Sequence, residues 1–191
     1  MRNIHLLAVG DVDRLLLEDL GDALADAFRL GCRILPARLT AEFALHPTRM
    51  QVHSTEILGR LPGFVQDDTW RLLGVTEMDL YIPILTFVFG EAQVGNSCAV
   101  VSTHRLRQEF YGLPPDANLL RDRLLKEAVH ELGHTLRLPH CEDYRCAMAP
   151  SHAVEWIDLK GSALCVDCRA RAFAPGYQSP ESRSLGTGGV G

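Results

Sequence analysis

The sequence predicts an α/β fold in which a twisted mixed sheet is backed by helices, one long helix carries the functional residues, and a small cysteine-rich lobe follows. Three observations lead to this prediction. The first 35 residues alternate strand, helix and strand over the length of a right-handed crossover. Two runs rich in Ile, Leu, Phe and Val, residues 79–89 and 97–103, then precede a long amphipathic helix. Four of the six cysteines lie beyond that helix.

The N-terminal unit follows from its residue pattern. Residues 3–9 form an apolar strand, and Asp11 is placed to cap a helix whose apolar residues recur at helical spacing. Gly31 is expected to close that helix, and residues 32–35 form the next strand. Cys32 is interpreted as a small buried hydrophobic residue.

The middle of the chain predicts shorter elements. A loop that contains Pro36 leads into a helix over about residues 54–61, and Asp67 or Asp68 is placed to cap another short helix that ends near Gly74.

The two apolar runs that follow predict strands. The first of them contains Pro83, which has no N–H to donate to a ladder. Its start is therefore expected at a sheet edge or at a bulge.

Composition excludes several classes of protein. A chain of 191 residues is long enough for one domain with a sizeable core. Its net charge of −5 and pI near 5.9 argue against binding to nucleic acid or to an anionic membrane surface. No apolar run reaches the length of a membrane span, and the short apolar segment at residues 4–9 is a strand rather than a secretory signal. The cysteines then indicate thiols and metal ligands in a reducing compartment, which predicts a cytoplasmic protein.

The central motif is His130-Glu131-Leu-Gly-His134, with a third histidine at His140. Histidines four residues apart lie on one face of a helix, where both rings can bind a single ion. His140 cannot lie on that face, so the helix must end near Arg137 and the chain must turn back. Three nitrogen ligands leave the fourth zinc position open, as in catalytic sites, and Glu131 is placed to take a proton from a water held there. An ordinary solvated or core-lining histidine pair is the structural alternative.

The motif helix is predicted to begin near residue 117, and its leucines and alanines form a buried stripe. Arg121, Arg123 and Lys126 are expected to face solvent. Glu127 lies one turn before the first histidine and has two interpretations: it orients a ligand from behind, or it pairs in solvent with Arg123, which we favour. The remaining histidines, interpreted as structural or surface residues because they lack ligand spacing, are His5, His46, His53, His104 and His152.

Four late cysteines suggest a second metal site. Cys141, Cys146, Cys165 and Cys168 are separated by 4, 18 and 2 residues, which suits a tetrahedral four-thiolate zinc site. A lobe of about 30 residues cannot form an adequate core alone, so it needs such a cross-link. A pair of disulfides and a redox Cys-x-x-Cys are the alternatives. Because Cys141 follows the third histidine directly, the two metals are expected to be near neighbours.

The motif block resembles the archaemetzincins, a family of metzincin-type zinc peptidases. The resemblance rests on HExxHxxxxxH, on the cysteine directly after it, on Cys146 and Met148, and on the Cys165-x-x-Cys168 pair. It covers residues 119–168 closely and residues 81–107 more loosely. It implies a metzincin-like zincin fold and two zinc ions per chain. The implied residues are His130, His134 and His140 for a catalytic zinc, Glu131 as general base, Met148 in a turn beneath the metal, and Cys141, Cys146, Cys165 and Cys168 for a structural zinc.

One residue departs from the family pattern. The family has glycine three residues after the second histidine, where this chain has Arg137. Glycine suits the left-handed conformation common at a helix end, which costs another residue roughly 1–2 kcal/mol. Pro139 favours an extended conformation at Leu138 and helps the chain leave the helix. A guanidinium close to a dicationic metal would also repel it.

The resemblance also implies a substrate-binding strand. In metzincins a strand at the sheet edge lies along the active-site cleft and pairs with an extended substrate, so residues 89–92 are the candidate for peptide binding by strand addition. The alternative is an ordinary hairpin.

We therefore predict a zinc-dependent metallopeptidase that acts on peptide or protein substrates as a monomer. Residues 1–173 form one domain, with an upper lobe to about residue 140 and a lower lobe from 141, and residues 174–191 form a flexible tail. The alternative function is a catalytically silent zinc-binding or peptide-binding protein of the same fold, because Arg137 replaces the family glycine. A zinc-ribbon nucleic-acid binder is disfavoured by the acidic charge.

Overall fold

The computed structural model describes residues 2–174 of the chain. Eight strands alternate with five helices and several 3-10 turns. The strands are β1 Asn3–Val9, β2 Gly31–Leu39, β3 Leu45–His46, β4 Gln51–His53, β5 Thr69–Thr76, β6 Leu80–Tyr81, β7 Gly90–Ala92 and β8 Cys98–Ser102. The helices are α1 Arg14–Phe28, α2 Ser54–Arg60, α3 Ala117–Thr135, α4 Val154–Leu159 and α5 Val166–Ala172.

Five strands form the main sheet, in the order β2-β1-β5-β8-β7. The first four are parallel, whereas β7 runs antiparallel to β8 at one edge. A smaller sheet contains β3, β4 and β6. The sheet is therefore mixed, as the sequence predicts, and its single antiparallel strand lies beside the functional helix α3.

Apolar side chains cover both faces of the main sheet because strand residues alternate between the faces. Helices α1 and α3 cover one face, whose strand residues are Ile4, Leu6, Leu73, Val75, Ala99 and Val101. Helix α2 covers the other face, whose strand residues are Leu7, Val9, Leu72, Cys98 and Val100. The core therefore fixes α3 against the sheet along its length.

The N-terminal βαβ unit is confirmed, although its caps differ from those predicted. Asp13, not Asp11, caps α1 and accepts the N–H of Leu15 at 3.0 Å. The helix ends in a left-handed residue at Arg29, with φ of 55°, and Gly31 already belongs to the next strand. Asp11 instead forms an ion pair with Arg38.

Strand β2 is longer than predicted, and it includes Pro36, for which the sequence predicts a loop. The strand tolerates a proline because it lies at the sheet edge and because its pairing with β1 is irregular there. The register shifts between Leu6 and Ala8 of the neighbouring strand.

The predicted short helix ending near Gly74 is wrong, because this segment is the central strand β5. Its residues 72–75 are buried on both faces, as expected of a strand inside a parallel sheet. Asp68 does not cap a helix. Its carboxylate accepts a hydrogen bond from the Asn3 side chain at 2.9 Å and pairs with Arg33 at 3.2 Å.

The predicted strand over residues 79–89 forms only in part. It contains β6, a turn that includes Pro83, and the approach to β7. A residue from the loop between β3 and β4 holds the turn in place: the Arg49 guanidinium donates to the carbonyls of Leu85 at 3.1 Å and Thr86 at 2.8 Å. The helix predicted at residues 54–61 and the strand predicted at 97–103 are confirmed as α2 and β8.

Helix α3 begins at Ala117 as predicted, and Asp116 caps it by accepting the N–H of Leu119 at 2.9 Å. The prediction that Arg123 and Lys126 face solvent is wrong, because they are 5 % and 7 % exposed. Their apolar stems lie on protein while their charged ends pair with Asp158 and Asp122.

Within residues 2–174, no helix combines the length and the apolar character that crossing a bilayer requires. The tail predicted from residue 174 lies, apart from Ala174 itself, outside the described residues.

The Asp116 cap should contribute measurably to stability. We expect Asp116→Ala to lower the free energy of unfolding by about 1 kcal/mol, because an N–H at the start of α3 loses its acceptor. Urea unfolding of Asn118→Ala, an exposed neighbour in the first turn, provides the control. Equal stability of the two variants would contradict the role of the cap.

Candidate metal site and cleft

The structure brings the three predicted histidines together. His130 and His134 lie one turn apart near the end of α3, and His140 follows the turn after the helix. Their ligand nitrogens lie within 4.8 Å of one another, and the Nε2 atoms of His130 and His134 are 3.1 Å apart. The three rings therefore face one point.

Backbone carbonyls fix the orientation of two of these rings. His130 Nδ1 lies 2.8 Å from the Ala147 carbonyl, and His134 Nδ1 lies 2.8 Å from the Leu138 carbonyl. A carbonyl only accepts, so each Nδ1 carries the proton and each Nε2 presents a lone pair. Two lone pairs that face each other at 3.1 Å fit a cation between them. The donor set therefore fits a metal ion such as zinc.

Burial keeps these rings neutral. It lowers the pKa of His134 to about 4 and places that of His130 well below its ordinary value. Lys160, the next cause in the case of His130, acts in the same direction. Both imidazoles are thus free of a second proton at neutral pH, as a metal ligand must be.

Arg137 adopts the left-handed conformation that the sequence predicts for this position, with φ of 67°. The Arg137 and Leu138 N–H groups bond back to the carbonyls of His134 at 2.9 Å and Gly133 at 3.2 Å, which completes the helix end. The guanidinium lies against Gly95, outside the set of residues that line the cleft. The chain therefore makes the sharp turn without glycine, and the Arg137 side chain does not line the cleft in front of the histidines.

Glu131 lies beside the histidines and packs against β7. A Cβ added to Gly90 would come within 2.6 Å of Glu131 Cγ and 2.7 Å of the Val100 carbonyl oxygen. Only glycine allows this close approach. Burial raises the pKa of Glu131 well above its ordinary value, and the nearby Glu127 carboxylate raises it further.

Met148 is fully buried beneath the histidine helix. Its sulfur and methyl group occupy the space that a side chain at Gly133 would need. Gly133 is the fourth residue of the His-Glu-Leu-Gly-His motif, so this glycine lets the methionine approach the helix between the two ligands.

A cleft of about 400 Å³ opens in front of the histidines. Residues 85–92 form one wall and residues 150–152 the other. The remaining lining residues are Glu127, His130, Glu131, His134 and His140. A groove that has an edge strand on one side and the candidate metal site at its base can hold an extended chain.

The four late cysteines form a second cluster, with all Sγ atoms within 4.8 Å. Backbone N–H groups point at these sulfurs: Met148 N lies 3.4 Å and Cys165 N 3.3 Å from Cys146 Sγ. The N–H of Cys168 lowers the pKa of the Cys165 thiol, whereas burial raises the pKa of Cys168 and Cys141. The cluster fits a tetrahedral cation that displaces the remaining protons.

The interpretation of Glu127 as a solvated partner of Arg123 is wrong. Glu127 is 3 % exposed and pairs with Lys160, while Arg123 pairs with Asp158. Of the five histidines interpreted as structural or surface residues, His152 differs because it lines the cleft, where it packs against Trp156.

Sequence reasoning missed three residues at this site: Gly90, Gly133 and Lys160. The glycines carry a signal, since glycine is unfavourable inside a strand or helix and invites a packing explanation. Lys160 carries none, because it lies 30 residues from the histidine that it approaches.

A parallel-stranded sheet with one antiparallel edge, a helix with two histidines, a third histidine after a sharp turn and an adjacent glutamate define a metzincin-like zinc metallopeptidase. The model of one such family, Peptidase family M54, matches residues 27–172. The chain belongs to this family, and archaemetzincins are among the curated proteins that it resembles.

Individual relatives are similar to this protein over most of its length. The archaemetzincin of Methanocaldococcus jannaschii is 45% identical over 165 residues, which are 86% of this chain and 89% of that protein. The crystal structure of Archaeoglobus fulgidus archaemetzincin complexed with malonate is similar at a TM-score of 0.77 and 35% identity, covering 88% of this chain and 98% of that one. A zinc-dependent peptidase from Methanocorpusculum labreanum gives a TM-score of 0.81 at 29% identity, covering 88% and 99%.

The contact between Gly90 and Glu131 should be sensitive to one methyl group. We expect Gly90→Ala to lower kcat/KM for peptide cleavage and to cost about 1–3 kcal/mol of stability, because the added Cβ must displace the glutamate or the strand. Peptide hydrolysis and thermal unfolding measure the two effects.

Gly59→Ala is the matched control, since a Cβ there meets nothing within 4 Å inside α2. It should leave kcat/KM unchanged. Parent-like activity of Gly90→Ala would show that the site tolerates a side chain there.

Proposed function

We propose that the chain hydrolyses peptide bonds with a zinc ion held by His130, His134 and His140, and with Glu131 as general base. The observation that carries this proposal is the pair of Nε2 lone pairs 3.1 Å apart, with a buried carboxylate beside them in an open cleft. Membership of a zinc peptidase family supports the same chemistry.

When bound, zinc would act as a Lewis acid that lowers the pKa of a coordinated water and polarises the scissile carbonyl. Glu131 accepts the proton of the attacking water and delivers it to the leaving amine. The Ala147 and Leu138 carbonyls hold two ligand rings in the required tautomer throughout.

We infer that substrate binds along β7 by strand addition. Phe89 accepts the N–H of Ser102 at 2.8 Å, and Gln93 donates to the Cys98 carbonyl at 3.0 Å. Odd-numbered residues of this strand therefore bond to β8, so the polar backbone groups of Gly90 and Ala92 point to the free edge. An extended peptide can pair with those groups while its scissile bond lies over the histidines.

The four-cysteine cluster supports a second, structural zinc, held by Cys141, Cys146, Cys165 and Cys168. Cys141 donates its N–H to the Met148 carbonyl at 2.9 Å, and Cys146 precedes Met148 by two residues. Loss of this zinc should therefore also loosen the turn beneath the histidines.

We infer further that the protein works as a monomeric single domain, residues 1–173, without nucleic acid. The net charge of −5 supports the last point. A site of four thiolates needs reduced cysteines, which supports a cytoplasmic location.

The position of Arg137 argues against the alternative function, a catalytically silent protein of the same fold. That residue was the reason to expect an impaired site, and its side chain lies against Gly95 rather than in the cleft.

Replacing the proposed base separates catalysis from metal binding. We expect Glu131→Gln to retain two zinc ions per chain and to lower kcat by about 10²–10⁴-fold, since the amide cannot accept the proton. Zinc analysis alongside cleavage of a mixed peptide library makes the measurement. Glu109→Gln, an exposed acidic residue outside the cleft, should match the parent. A zinc-replete Glu131→Gln that cleaves at the parental rate would refute the mechanism.

Proline at the strand edge tests strand addition. Ala92→Pro removes an outward N–H without removing a bond to β8, so kcat/KM should fall by about 3–10-fold, the worth of one hydrogen bond. Ala92→Val keeps the N–H and serves as the control. Equal kinetics in both variants would support the ordinary hairpin instead.

A further inference from the structure

Behind the histidines lies a buried ion pair that peptide hydrolysis does not explain. Lys160 follows α4, and its side chain is 0% exposed. Its Nζ atom lies 2.7 Å from Glu127 Oε1, and the Glu127 side chain is 4% exposed. Glu127 in turn lies on α3, one turn before His130.

Lys160 links three parts of the site. Besides pairing with Glu127, its ammonium donates to the Ala149 carbonyl at 3.1 Å and lies 3.5 Å from His130 Nδ1. Ala149 follows Met148, and the carbonyl of Ala147 is the partner of His130 Nδ1. One side chain therefore connects the helix that carries the first ligand to the segment that orients that ligand.

Stability alone gives no reason for this pair. Burying two charges is costly, and apolar residues of similar volume often serve equally well or better. A second pair on the same helix, Arg123 with Asp158, also joins α3 to α4 with contacts of 2.7 Å, but Asp158 is 35% exposed and the pair does not line the cleft. Attachment of α4 is therefore available without Lys160.

We propose that Glu127 and Lys160 are positioning residues that fix His130 and the 147–149 segment for metal binding. The contribution we assign to the pair is geometric: by joining Glu127 to the Ala149 carbonyl it holds the segment whose Ala147 carbonyl lies in line with His130 Nδ1, and thereby aims Nε2 at the ion. This inference rests on the proposed three-histidine zinc site.

The test removes the pair while keeping the local charge at zero. In Glu127→Gln/Lys160→Met we expect the Kd for Zn²⁺ at the three-histidine site to rise by about 10–100-fold, the usual loss when a partner behind a ligand is removed. The Kd of the four-cysteine site should not change. Competition with a chromophoric chelator on the full chain gives both constants.

The matched control is Arg123→Met/Asp158→Asn, which removes the other pair between the same elements, again without change of net charge. It should lower Tm and leave the Kd of the three-histidine site unchanged. An unchanged Kd in the Glu127/Lys160 variant, or an equal rise in the control, would overturn the proposal.

Circular dichroism checks that each variant folds. If Glu127→Gln/Lys160→Met does not fold, Glu127→Met/Lys160→Met, in which both side chains are apolar, replaces it and is judged by the same criteria. Failure of the proposed function is distinguishable: the parent would then bind no Zn²⁺ beyond the four-cysteine ion, and the positioning role would fail with it.

Discussion

The site depends on holding electron pairs of neutral imidazoles against one another without a proton between them. That arrangement is unfavourable unless a hydrogen bond on the opposite side of each ring fixes its orientation. The acceptors of these bonds are the backbone carbonyls of Ala147 and Leu138. Neither carbonyl belongs to the helix that carries the two rings. The turn after α3 and the segment around Met148 therefore belong to the site as much as the helix does. Since Ala147 lies between Cys146 and Met148, the cysteine-rich lobe supplies one of the two orienting carbonyls.

Close packing at two glycines supports the same arrangement. Gly90 brings the edge strand against Glu131, and Gly133 brings Met148 against the helix between the ligands. In both places a glycine backbone meets a side chain of the site, so close contacts help to set the cleft wall and the base of the site, together with the hydrogen bonds of β7 and Met148. The Glu131 carboxylate, the proposed general base, is thereby buried beside the cleft.

Local patterns predicted much of this structure. The βαβ unit, α2, β8 and the start of α3 follow from apolar periodicity and capping residues, and the left-handed conformation of Arg137 follows from the glycine that the family pattern has at this position. The failures share one cause. The sequence predicts a helix where β5 lies and solvated side chains at Arg123 and Lys126, because burial of both faces and pairing with distant partners are tertiary effects. Asp158 lies 35 residues from Arg123, and Lys160 lies 30 residues from His130. The periodicity of the sequence does not predict pairs between residues so far apart in the chain.

The order of the residues along the chain has a consequence for biosynthesis. His130 and His134 emerge from the ribosome before the carbonyl of Ala147, before Lys160 and before the last two thiolates at Cys165 and Cys168. A nascent chain that ends inside this interval contains Glu131 and the first two histidines but not the segment that orients the His130 ring. On the proposed mechanism, translation order alone would thus delay peptide hydrolysis until the segment that orients His130 has been made.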